Sequence, residues 1–307
     1  MSRPSPLDFD PRHPQAAQML DPSMLRTLRF QVEATWPQES RLLARYALPA
    51  GARLLDLGCG SGEFTRRLAG AFPGAEAVIG IDVLPEMLRA AEALCGATAG
   101  DPGPSGGGSG PSGTLSTLRP TFEEGDACAL RFPDGHFDFV ALRHLTQLLP
   151  DPEAVFAECR RVLRPGGWLH VVSEDYGMLH FPPRDGVDPD DLWRGAVVEH
   201  TRHTGTDARI GRRTLPLLRA LGFGHVSIQY LVLDTERVPR EVLVGIIESW
   251  RDGYAPVLAQ AEGRPEAEVR ALFDAALATL HDPQGYAVWQ LPVVAGRKPV
   301  DGPGVTA

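Results

Sequence analysis

The chain has 307 residues, of which 43% are apolar and 22% charged, so it is long enough to bury a large core and is not disordered as a whole. Thirty basic and 39 acidic residues leave a net charge of −9, which repels phosphate backbones and anionic lipid and disfavours nucleic acid and membranes as partners. The single lysine, Lys298, lies near the C-terminus, which leaves almost nothing for Schiff-base or P-loop chemistry.

The four cysteines are too widely spaced to form a C-x-x-C pair; they are Cys59, Cys95, Cys128 and Cys159. This spacing predicts no zinc or other metal site and favours a reducing compartment. The N-terminus is polar and proline-rich, and no run of about 18 consecutive apolar residues occurs, so the sequence shows neither a signal peptide nor a spanning helix. We therefore expect a soluble, cytoplasmic protein.

The first fifty residues form the first of four predicted regions. Residues 1–12 have the composition of a disordered segment, whereas residues 13–46 carry leucine, methionine and aromatic side chains at roughly helical spacing. Pro22 and Pro37 interrupt that stretch, which predicts two or three separate helices. Region 1–50 is therefore expected to be a small helical layer.

Strand and helix patterns then alternate through region 51–175. The predicted strands lie near residues 52–57, 77–82, 115–123, 137–143 and 167–174, and the predicted helices near 64–72, 85–96 and 152–163. This alternation implies right-handed crossovers and a parallel sheet covered by helices on both faces, a doubly wound α/β fold. Residues 97–114 are almost pure glycine, proline and serine, and we expect a flexible surface insertion without a function of its own.

Region 176–297 is less regular and adds helices to the plain doubly wound pattern. After a polar loop, helices are predicted over 192–203, 210–221, 240–260 and 265–280, and strands over 225–234 and 286–297. Two of these helices fall between the last two strands, so they are expected to form a cap. Residues 298–307 are expected to be a tail.

A glycine-rich turn is the most informative motif in the chain. Residues 54–62 read LLDLGCGSG, an apolar strand followed by glycines at the start of a helix, where backbone amides are free to bind a ligand. A dinucleotide-binding turn has its third glycine one position later than Gly62, and Asp56 suits a cationic amino group better than a pyrophosphate. The alternative is a glycine turn that serves packing alone.

Asp82 ends the second predicted strand. A carboxylate at this point can accept hydrogen bonds from both hydroxyls of a ribose, as in other doubly wound nucleotide sites. It can equally cap the helix that begins at Pro85. On local pattern alone, both interpretations stay open.

Taken in order, these segments resemble class I S-adenosylmethionine-dependent methyltransferases, in particular the small-molecule branch that includes the ubiquinone and menaquinone biosynthesis enzymes. The matching segments are LLDLGCGSG, GIDVLPEML, GDACALRFPDGHFDFV and RVLRPGGWLHVV, within residues 52–174, and the resemblance extends more weakly to Arg297. It implies a Rossmann-like sheet of seven strands, mostly parallel with the last strand antiparallel. It also implies that region 1–50 is a lid and that the cofactor is S-adenosylmethionine, converted to S-adenosylhomocysteine.

The resemblance implies roles for nine residues in binding that cofactor. The methionine portion would be held by Asp56, Gly58, Cys59 and Gly60, the ribose by Asp82, and the adenine side by Val83, Asp126 and Ala127, with the backbone of Arg143 nearby. For the Arg143 side chain, the alternative is a surface charge at a strand end.

Three residues are candidates for catalysis. Many relatives have a histidine where this chain has Leu148, so that histidine's role cannot be transferred, and His144 lies in a different register. As a lone histidine, His144 is either a base or a satisfied structural group. Asp175 and Tyr176 follow the fifth strand and could orient or deprotonate an acceptor, whereas the alternative is a solvated loop in which Glu174 caps the strand.

The expected reaction is in-line methyl transfer to an O, N or C atom of a small molecule, such as a quinone-like ring or a secondary metabolite. The alternatives are a cofactor-binding module without catalysis and an NAD-dependent oxidoreductase on the same architecture. Four aromatic residues could cover an apolar substrate or belong to the core: Trp36, Phe181, Trp193 and Trp250. The sequence is compatible with a monomer or a homodimer.

Overall fold

The computed structural model describes residues 11–96 and 118–300. The predicted insertion at 97–114 lies outside the described residues. So do nearly all of the N-terminal segment that was predicted to be disordered and most of the predicted tail.

In the described part of the chain, eight strands form one sheet. They are β1 Arg53–Leu57, β2 Ala77–Asp82, β3 Thr121–Glu124, β4 Phe137–Arg143, β5 Leu163–Val172, β6 Leu179–His180, β7 Gly224–Asp234 and β8 Val288–Arg297. The order is β3-β2-β1-β4-β5-β8-β6, and β7 also pairs with β8. Strands β1 to β5 pair in parallel, whereas β8 is antiparallel to β5, β6 and β7. The predicted doubly wound α/β fold with an antiparallel last strand is confirmed.

The strand count differs from the predicted seven because of β6. This strand has two residues, which pair with Trp289 and Val288 of β8. Two residues are too few to produce the alternation by which a strand is detected in sequence. The seven longer strands account for the predicted sheet.

Nine α-helices occur in the described residues. They are α1 Ala16–Met19, α2 Pro22–Leu43, α3 Glu63–Ala71, α4 Pro85–Gly96, α5 Pro152–Val162, α6 Val197–Thr204, α7 Gly211–Ala220, α8 Arg240–Glu262 and α9 Glu266–His281. A π-helical turn, Leu192–Ala196, leads into α6, and a 3₁₀ turn covers Tyr176–Met178. Asp21 and Asp151 cap α2 and α5 by accepting from the amides of Ser23 and Ala154.

The predicted break at Pro37 is wrong. Helix α2 continues through Pro37 to Leu43. A proline removes one backbone donor from a helix, at a cost of about 3 kcal/mol. Here α2 packs along α8 and against α3, with Val32 and Leu43 buried, and this tertiary packing outweighs the local preference.

Helices cover both faces of the sheet, as successive residues of β1 show. Leu54 packs into a cluster with Phe64 and Leu68 of α3, whereas Leu55 packs into a second cluster on the opposite face. That second cluster includes residues of α5 and α7. Because neighbouring side chains of a strand point to opposite faces, a continuous apolar strand is buried on both sides.

The carboxyl ends of the parallel strands meet along one edge of the sheet. The register places Leu57 opposite Ile81 of β2 and Leu142 of β4, and Leu142 opposite Val171 of β5. The loops that follow these strands therefore lie side by side. In open α/β sheets this edge is where ligands bind.

Candidate functional site

The turn after β1 brings backbone atoms close to neighbouring elements. The φ angles of Gly58, Gly60 and Gly62 are 75°, 50° and 76°, and residues other than glycine rarely adopt such values. A Cβ atom on Gly58 would lie 2.8 Å from Leu145, and one on Gly60 would lie 2.8 Å from Leu28 of α2. The turn therefore leaves its backbone exposed toward a cavity whose far wall is α2.

Asp82 supports this turn from the end of β2. Its Oδ2 atom accepts a hydrogen bond from the amide of Gly60 at 2.9 Å, and its Oδ1 atom accepts from the amide of Leu84 at 3.0 Å. Burial raises the pKa of Asp82, and the backbone hydrogen bonds oppose that rise. Asp82 thus holds the glycine turn and the backbone just before α4, and it also lines the adjoining cavity. Its role toward a ribose stays a prediction.

We call the cavity at the strand ends the cofactor cavity. Its volume is about 600 Å³. Its walls come from the N-terminal helices, the glycine turn, the start of α4 and the loop after β4: His13, Gln15, Ala16, Met19, Leu28, Gly58, Gly60, Asp82, Val83, Leu84, Met87, Arg143, His144, Leu145, Leu148 and Leu149. The region predicted to be a lid therefore supplies five of the lining residues.

A smaller pocket of about 320 Å³ adjoins the cofactor cavity and contains Asp56 and Cys59. The Asp56 carboxylate is buried and accepts a hydrogen bond from the Thr65 hydroxyl at 2.6 Å. Burial raises the pKa of Asp56 to about 6, although the Thr65 hydrogen bond and the charge of Arg143 act against the rise. A cationic group entering this pocket would favour the ionised carboxylate.

Asp126 and Ala127 are not among the lining residues of the cofactor cavity. The Asp126 carboxylate accepts from the amide of Cys128 at 2.8 Å and forms an ion pair with Arg12 at 2.7 Å. It is also 3.6 Å from the ring of His13, which does line the cavity. Arg12 and His13 of the N-terminal segment therefore lie next to the Asp126 carboxylate. The resemblance assigned this carboxylate to the adenine amino group.

Arg143 is buried, so the surface-charge alternative is wrong. Its Nε atom lies 2.7 Å from Oε1 of Glu39, and its Nη2 donates to the Thr35 hydroxyl at 2.7 Å. The guanidinium also lies over the ring of Phe64, 4.4 Å from its centroid. Because Glu39 and Thr35 belong to α2, this ion pair fastens the N-terminal helix to the end of β4.

Glu39 is the centre of a buried polar group that the sequence did not reveal. His170 of β5 lies 3.2 Å from the same carboxylate oxygen, and the other ring nitrogen of His170 bonds to the Tyr46 hydroxyl at 2.9 Å. Burial alone would raise the pKa of Glu39, but the charges and hydrogen bonds of Arg143 and His170 lower it to about 2. An acid in the middle of an amphipathic helix is normally a solvated residue, so no local signal distinguished it.

His144 and Glu174 form a second buried pair. The Nδ1 atom of His144 lies 2.7 Å from Oε1 of Glu174, which also accepts from the Gln31 side chain at 3.3 Å. The other imidazole nitrogen, Nε2, is buried and has no hydrogen-bond partner among the described residues, and His144 lines the cofactor cavity. Its φ of 52° is unusual for a residue with a side chain. The suggestion that Glu174 caps a solvated loop is wrong, because its carboxylate is buried.

Asp175 and Tyr176 follow β5 and have different surroundings. Both carboxylate oxygens of Asp175 bond to the Arg212 guanidinium, at 2.6 and 2.8 Å, and Oδ1 also accepts from the amide of Gly177. Both oxygens of Asp175 therefore already accept hydrogen bonds from a cation, and its catalytic role stays a prediction. Burial raises the pKa of Tyr176, and the negative charge of Glu174 adds to this, so its phenol stays protonated.

Tyr176 lines a second cavity, which we call the aromatic pocket. Its volume is about 450 Å³, and it is lined by Gln15, Gln147, Leu148, Tyr176, Trp193, Val197, His200, Thr201, Trp250, Tyr254, Leu258 and Phe273. Gln15 and Leu148 also line the cofactor cavity. Burial lowers the pKa of His200 to about 4, so its ring is neutral near pH 7. The two cavities are therefore neighbours that share a wall.

The other aromatic candidates divide between this pocket and the core. Trp193 and Trp250 line the pocket, and the ring of Tyr176 stacks on Trp193 with centroids 5.8 Å apart. Phe181 lines a separate apolar cavity of about 310 Å³, on the other side of Trp250. Trp36 packs edge-on against Phe64, outside both cavities at the sheet edge.

Among the helices of the described residues, none has both the length and the apolar character that crossing a bilayer requires. The four cysteines all lie in the described residues, and none of them forms a disulfide there.

Comparison with known proteins identifies the central part of the chain. Residues 55–171 match the methyltransferase domain family. A demethylmenaquinone methyltransferase of Thermus thermophilus is 35% identical over 158 residues, which cover 52% of this chain and 59% of that protein. The match thus spans less than two thirds of that relative. A trans-aconitate 2-methyltransferase of Methylobacterium nodulans is 29% identical over 275 residues, covering 87% of this chain and 92% of the relative.

Solved structures agree on the fold. The structure of Haemonchus contortus phosphoethanolamine N-methyltransferase 2 in complex with S-adenosyl-L-methionine is similar with a TM-score of 0.58 and 19% identity, covering 95% of this chain and 60% of that one. At this identity the similarity establishes the architecture alone. Residues 55–171 thus match a methyltransferase domain family, and the chain shares the fold of a solved methyltransferase structure.

Proposed function

We propose that the protein transfers a methyl group from S-adenosylmethionine to an O, N or C atom of a small molecule held in the aromatic pocket. The observation that carries this proposal is the wall that the cofactor cavity and the aromatic pocket share at Gln15 and Leu148. Methyl transfer requires two ligands in adjoining, water-poor sites with the reacting atoms in line. Such positioning can supply on the order of 7 to 11 kcal/mol of the barrier.

The residues of the cofactor cavity suit this cofactor. The backbone of Gly58 and Gly60 lines the cavity without a side chain of its own, and the buried Asp56 carboxylate offers a negative partner to an amino group. Asp82 would hold the ribose hydroxyls, with Val83 at the adenine side. When bound, the cofactor supplies an electrophilic methyl group on a sulfonium.

Arg143 would act through its side chain as well as its backbone. It lines both the cofactor cavity and the pocket that contains Asp56. Among the described residues, it is the only arginine or lysine in either lining, so its remaining N–H groups would donate to a carboxylate next to an amino group bound at Asp56. Its ion pair with Glu39 holds it in that position.

His144 would serve as the general base when the acceptor is a hydroxyl or an ammonium. Its Nε2 atom has no hydrogen-bond partner among the described residues, so it is free to take a proton, while Glu174 orients the ring and stabilises the imidazolium. A base of this kind typically contributes about 10²- to 10⁴-fold in rate. Tyr176 would contact the acceptor as a hydrogen-bond donor, since its phenol stays protonated.

The acceptor we propose is a flat, quinone-like or related aromatic ring. Five aromatic side chains line the pocket: Tyr176, Trp193, Trp250, Tyr254 and Phe273. Flat apolar ligands pack well against such walls. Several relatives are named for methylation of quinones, which supports the same class of acceptor. We also propose that the protein acts in the cytoplasm, as a monomer or homodimer, without nucleic acid as a partner.

Calorimetric titration tests the cofactor before any acceptor is known. S-adenosylmethionine, S-adenosylhomocysteine and NAD are titrated into the wild-type chain, into Asp82→Ala, and into the control Asp274→Ala, whose carboxylate is 59% exposed on α9. We expect binding of the two sulfur compounds, its loss in Asp82→Ala alone, and no binding of NAD. NAD binding in their place would instead support an oxidoreductase.

Catalysis is tested by transfer of a labelled methyl group to a panel of phenols, hydroquinones and amines. Product that appears with the wild type and is lost in His144→Asn supports the enzyme. Tight cofactor binding without transfer to any member of a broad panel would support a binding module without catalysis.

A further inference from the structure

A polar pocket adjoins the aromatic pocket at Tyr176 and Trp193. Its volume is about 490 Å³, and it is lined by Tyr176, Gly177, Leu179, His180, Asp190, Trp193, Arg194, Arg209 and Arg212. The stacked rings of Tyr176 and Trp193 line both pockets. We call this the arginine pocket, because three guanidinium groups converge on it.

Two of the three arginines are neutralised by carboxylates. Arg212 is held by both oxygens of Asp175, at 2.6 and 2.8 Å. Arg194 bonds to Asp190 at 3.1 Å, and the ring of His180 is 3.1 Å from the same carboxylate oxygen. These groups contribute hydrogen-bond donors to the pocket but little net charge.

Arg209 is different. Within residues 11–96 and 118–300 its guanidinium makes no ion pair, and its Nε atom is buried without a hydrogen-bond partner. The neighbouring Asp207 accepts from the Arg209 amide but directs its other oxygen to Arg213, at 2.9 Å. Leaving a buried donor of a charged group without an acceptor costs folding free energy. A bound anion would supply the acceptor that the Nε atom of Arg209 lacks.

Gly177 keeps room for Arg212 next to Arg209. A Cβ atom at position 177 would lie 2.5 Å from Nη2 of Arg212 and 3.6 Å, an ordinary contact distance, from Nε of Arg209. The missing side chain therefore lets Arg212 approach the backbone after β5, beside Arg209. In a chain of net charge −9, such a concentration of guanidinium groups is a local exception.

We propose that the arginine pocket binds a carboxylate or phosphate group of a small molecule, with Arg209 as the charge that pairs with it. A planar guanidinium matches such anions bidentately. The anionic group belongs either to an acidic arm of the methyl acceptor, whose pocket shares Tyr176 and Trp193, or to a separate anion. Only the first of these sources rests on the proposed function.

Titration with inorganic phosphate and with succinate, at constant ionic strength, tests the site on the full chain. The variants are Arg209→Gln and the control Arg213→Gln, which removes the same charge four residues away at a side chain that is 55% exposed. We expect Arg209→Gln to weaken anion binding about tenfold or more, since a charge-assisted hydrogen bond is lost, and Arg213→Gln to leave it nearly unchanged. Equal weakening in both variants, or no anion binding by the wild type, would overturn the proposal.

Unfolding midpoints show whether Arg209→Gln is folded, and S-adenosylhomocysteine binding by the same variant reports separately on the cofactor site. The source of the anion follows from methyl transfer to matched aromatic acceptors with and without a carboxylate. A preference for the acid that disappears in Arg209→Gln assigns the anion to the acceptor. Anion binding at Arg209 without such a preference assigns it to a separate molecule, and the cofactor titrations keep either result distinct from failure of the methyltransferase proposal.

Discussion

The imidazole of His144 lies 2.7 Å from the carboxylate of Glu174, and the two residues come from the loops that follow neighbouring strands β4 and β5. The pair is buried at the carboxyl ends of the parallel strands, and His144 lines the cofactor cavity. A carboxylate on one imidazole nitrogen fixes the orientation and tautomer of the ring. On the proposed function, the other nitrogen would accept a proton from the acceptor.

Replacement of His144 by asparagine is expected to lower kcat by about 10²- to 10⁴-fold with a hydroxyl or amine acceptor, because the general base is lost. Asparagine tolerates the φ of 52° at this position better than most residues. Cofactor affinity should change little, as checked by titration with S-adenosylhomocysteine. The Glu174→Gln variant should have a lower kcat than the wild type. Its plot of log kcat against pH should also be displaced from that of the wild type. Unchanged kcat in His144→Asn would show that the reaction needs no base here.

The Gly60→Ala substitution is expected to weaken both the fold and cofactor binding. A Cβ atom would meet Leu28 at 2.8 Å in a backbone conformation with φ of 50°, and a residue held in that region costs about 1–3 kcal/mol. Gly74→Ala is the matched control, since no atom lies within 4 Å of its added Cβ. Urea unfolding and calorimetric titration of both variants measure the two effects. Equal behaviour of the two alanines would contradict a constrained turn.

The Glu39→Gln substitution is expected to reduce the free energy of unfolding by about 3–5 kcal/mol, because it leaves the buried charge of Arg143 without its partner. Adding Arg143→Met should restore part of the loss. Full stability in the single variant, measured by urea unfolding at pH 7, would argue against this role of the pair.

Because of the same ion pair, we expect the free energy of unfolding to depend on pH. The pKa of Glu39 falls from 4.5 to about 2 on folding, so the unfolded chain binds the proton more readily. The stabilisation by Glu39 is therefore complete above about pH 4.5 and is lost as the pH falls toward 2. The difference in unfolding free energy between wild type and Glu39→Gln should shrink over this range.

Asp56 predicts a pH dependence of the opposite sign. Burial raises its pKa from 3.8 to about 6, so the folded state favours the neutral acid, and its contribution to stability declines as the pH rises from about 4 to 6. Binding of a cationic amino group needs the carboxylate, so affinity for S-adenosylhomocysteine should fall up to about tenfold per pH unit below pH 6. The Asp56→Asn variant, titrated over the same range, is the control, because it lacks the carboxylate and keeps every other group of the site. A parallel pH profile in that variant would contradict the assignment.

The sheet and the glycine turn at its edge were predictable because their signals are local. The turn at Gly58 and Gly60 joins a strand to the following helix within a few residues, and Asp82 ends the next strand. Both lie at the carboxyl edge by the rules of parallel sheets alone. Helix α4 likewise begins at Pro85 and ends at Gly96 as the sequence indicated.

The features that escaped prediction depend on contacts between distant parts of the chain. Glu39 and Arg143 are 104 positions apart, and no sequence pattern around either residue predicts their ion pair. Asp175 was expected to orient or deprotonate an acceptor, but both of its oxygens accept hydrogen bonds from Arg212, 37 positions later. A local pattern shows which side chains reach an edge of the sheet, but not which of them are already paired there.

The two halves of the site come from different parts of the chain, and the helical hairpin α8–α9, inserted between β7 and β8, contributes to one of them. Apart from Gln15, Gln147 and Leu148, the aromatic pocket is built by residues 176–273, whereas the cofactor cavity is built by residues 13–149. On the proposed function, substitutions of the hairpin residues that line the aromatic pocket are expected to change which acceptor fits. This arrangement allows diversification by exchange of one segment, and a library confined to residues 193–273 is the natural starting point for re-engineering acceptor choice.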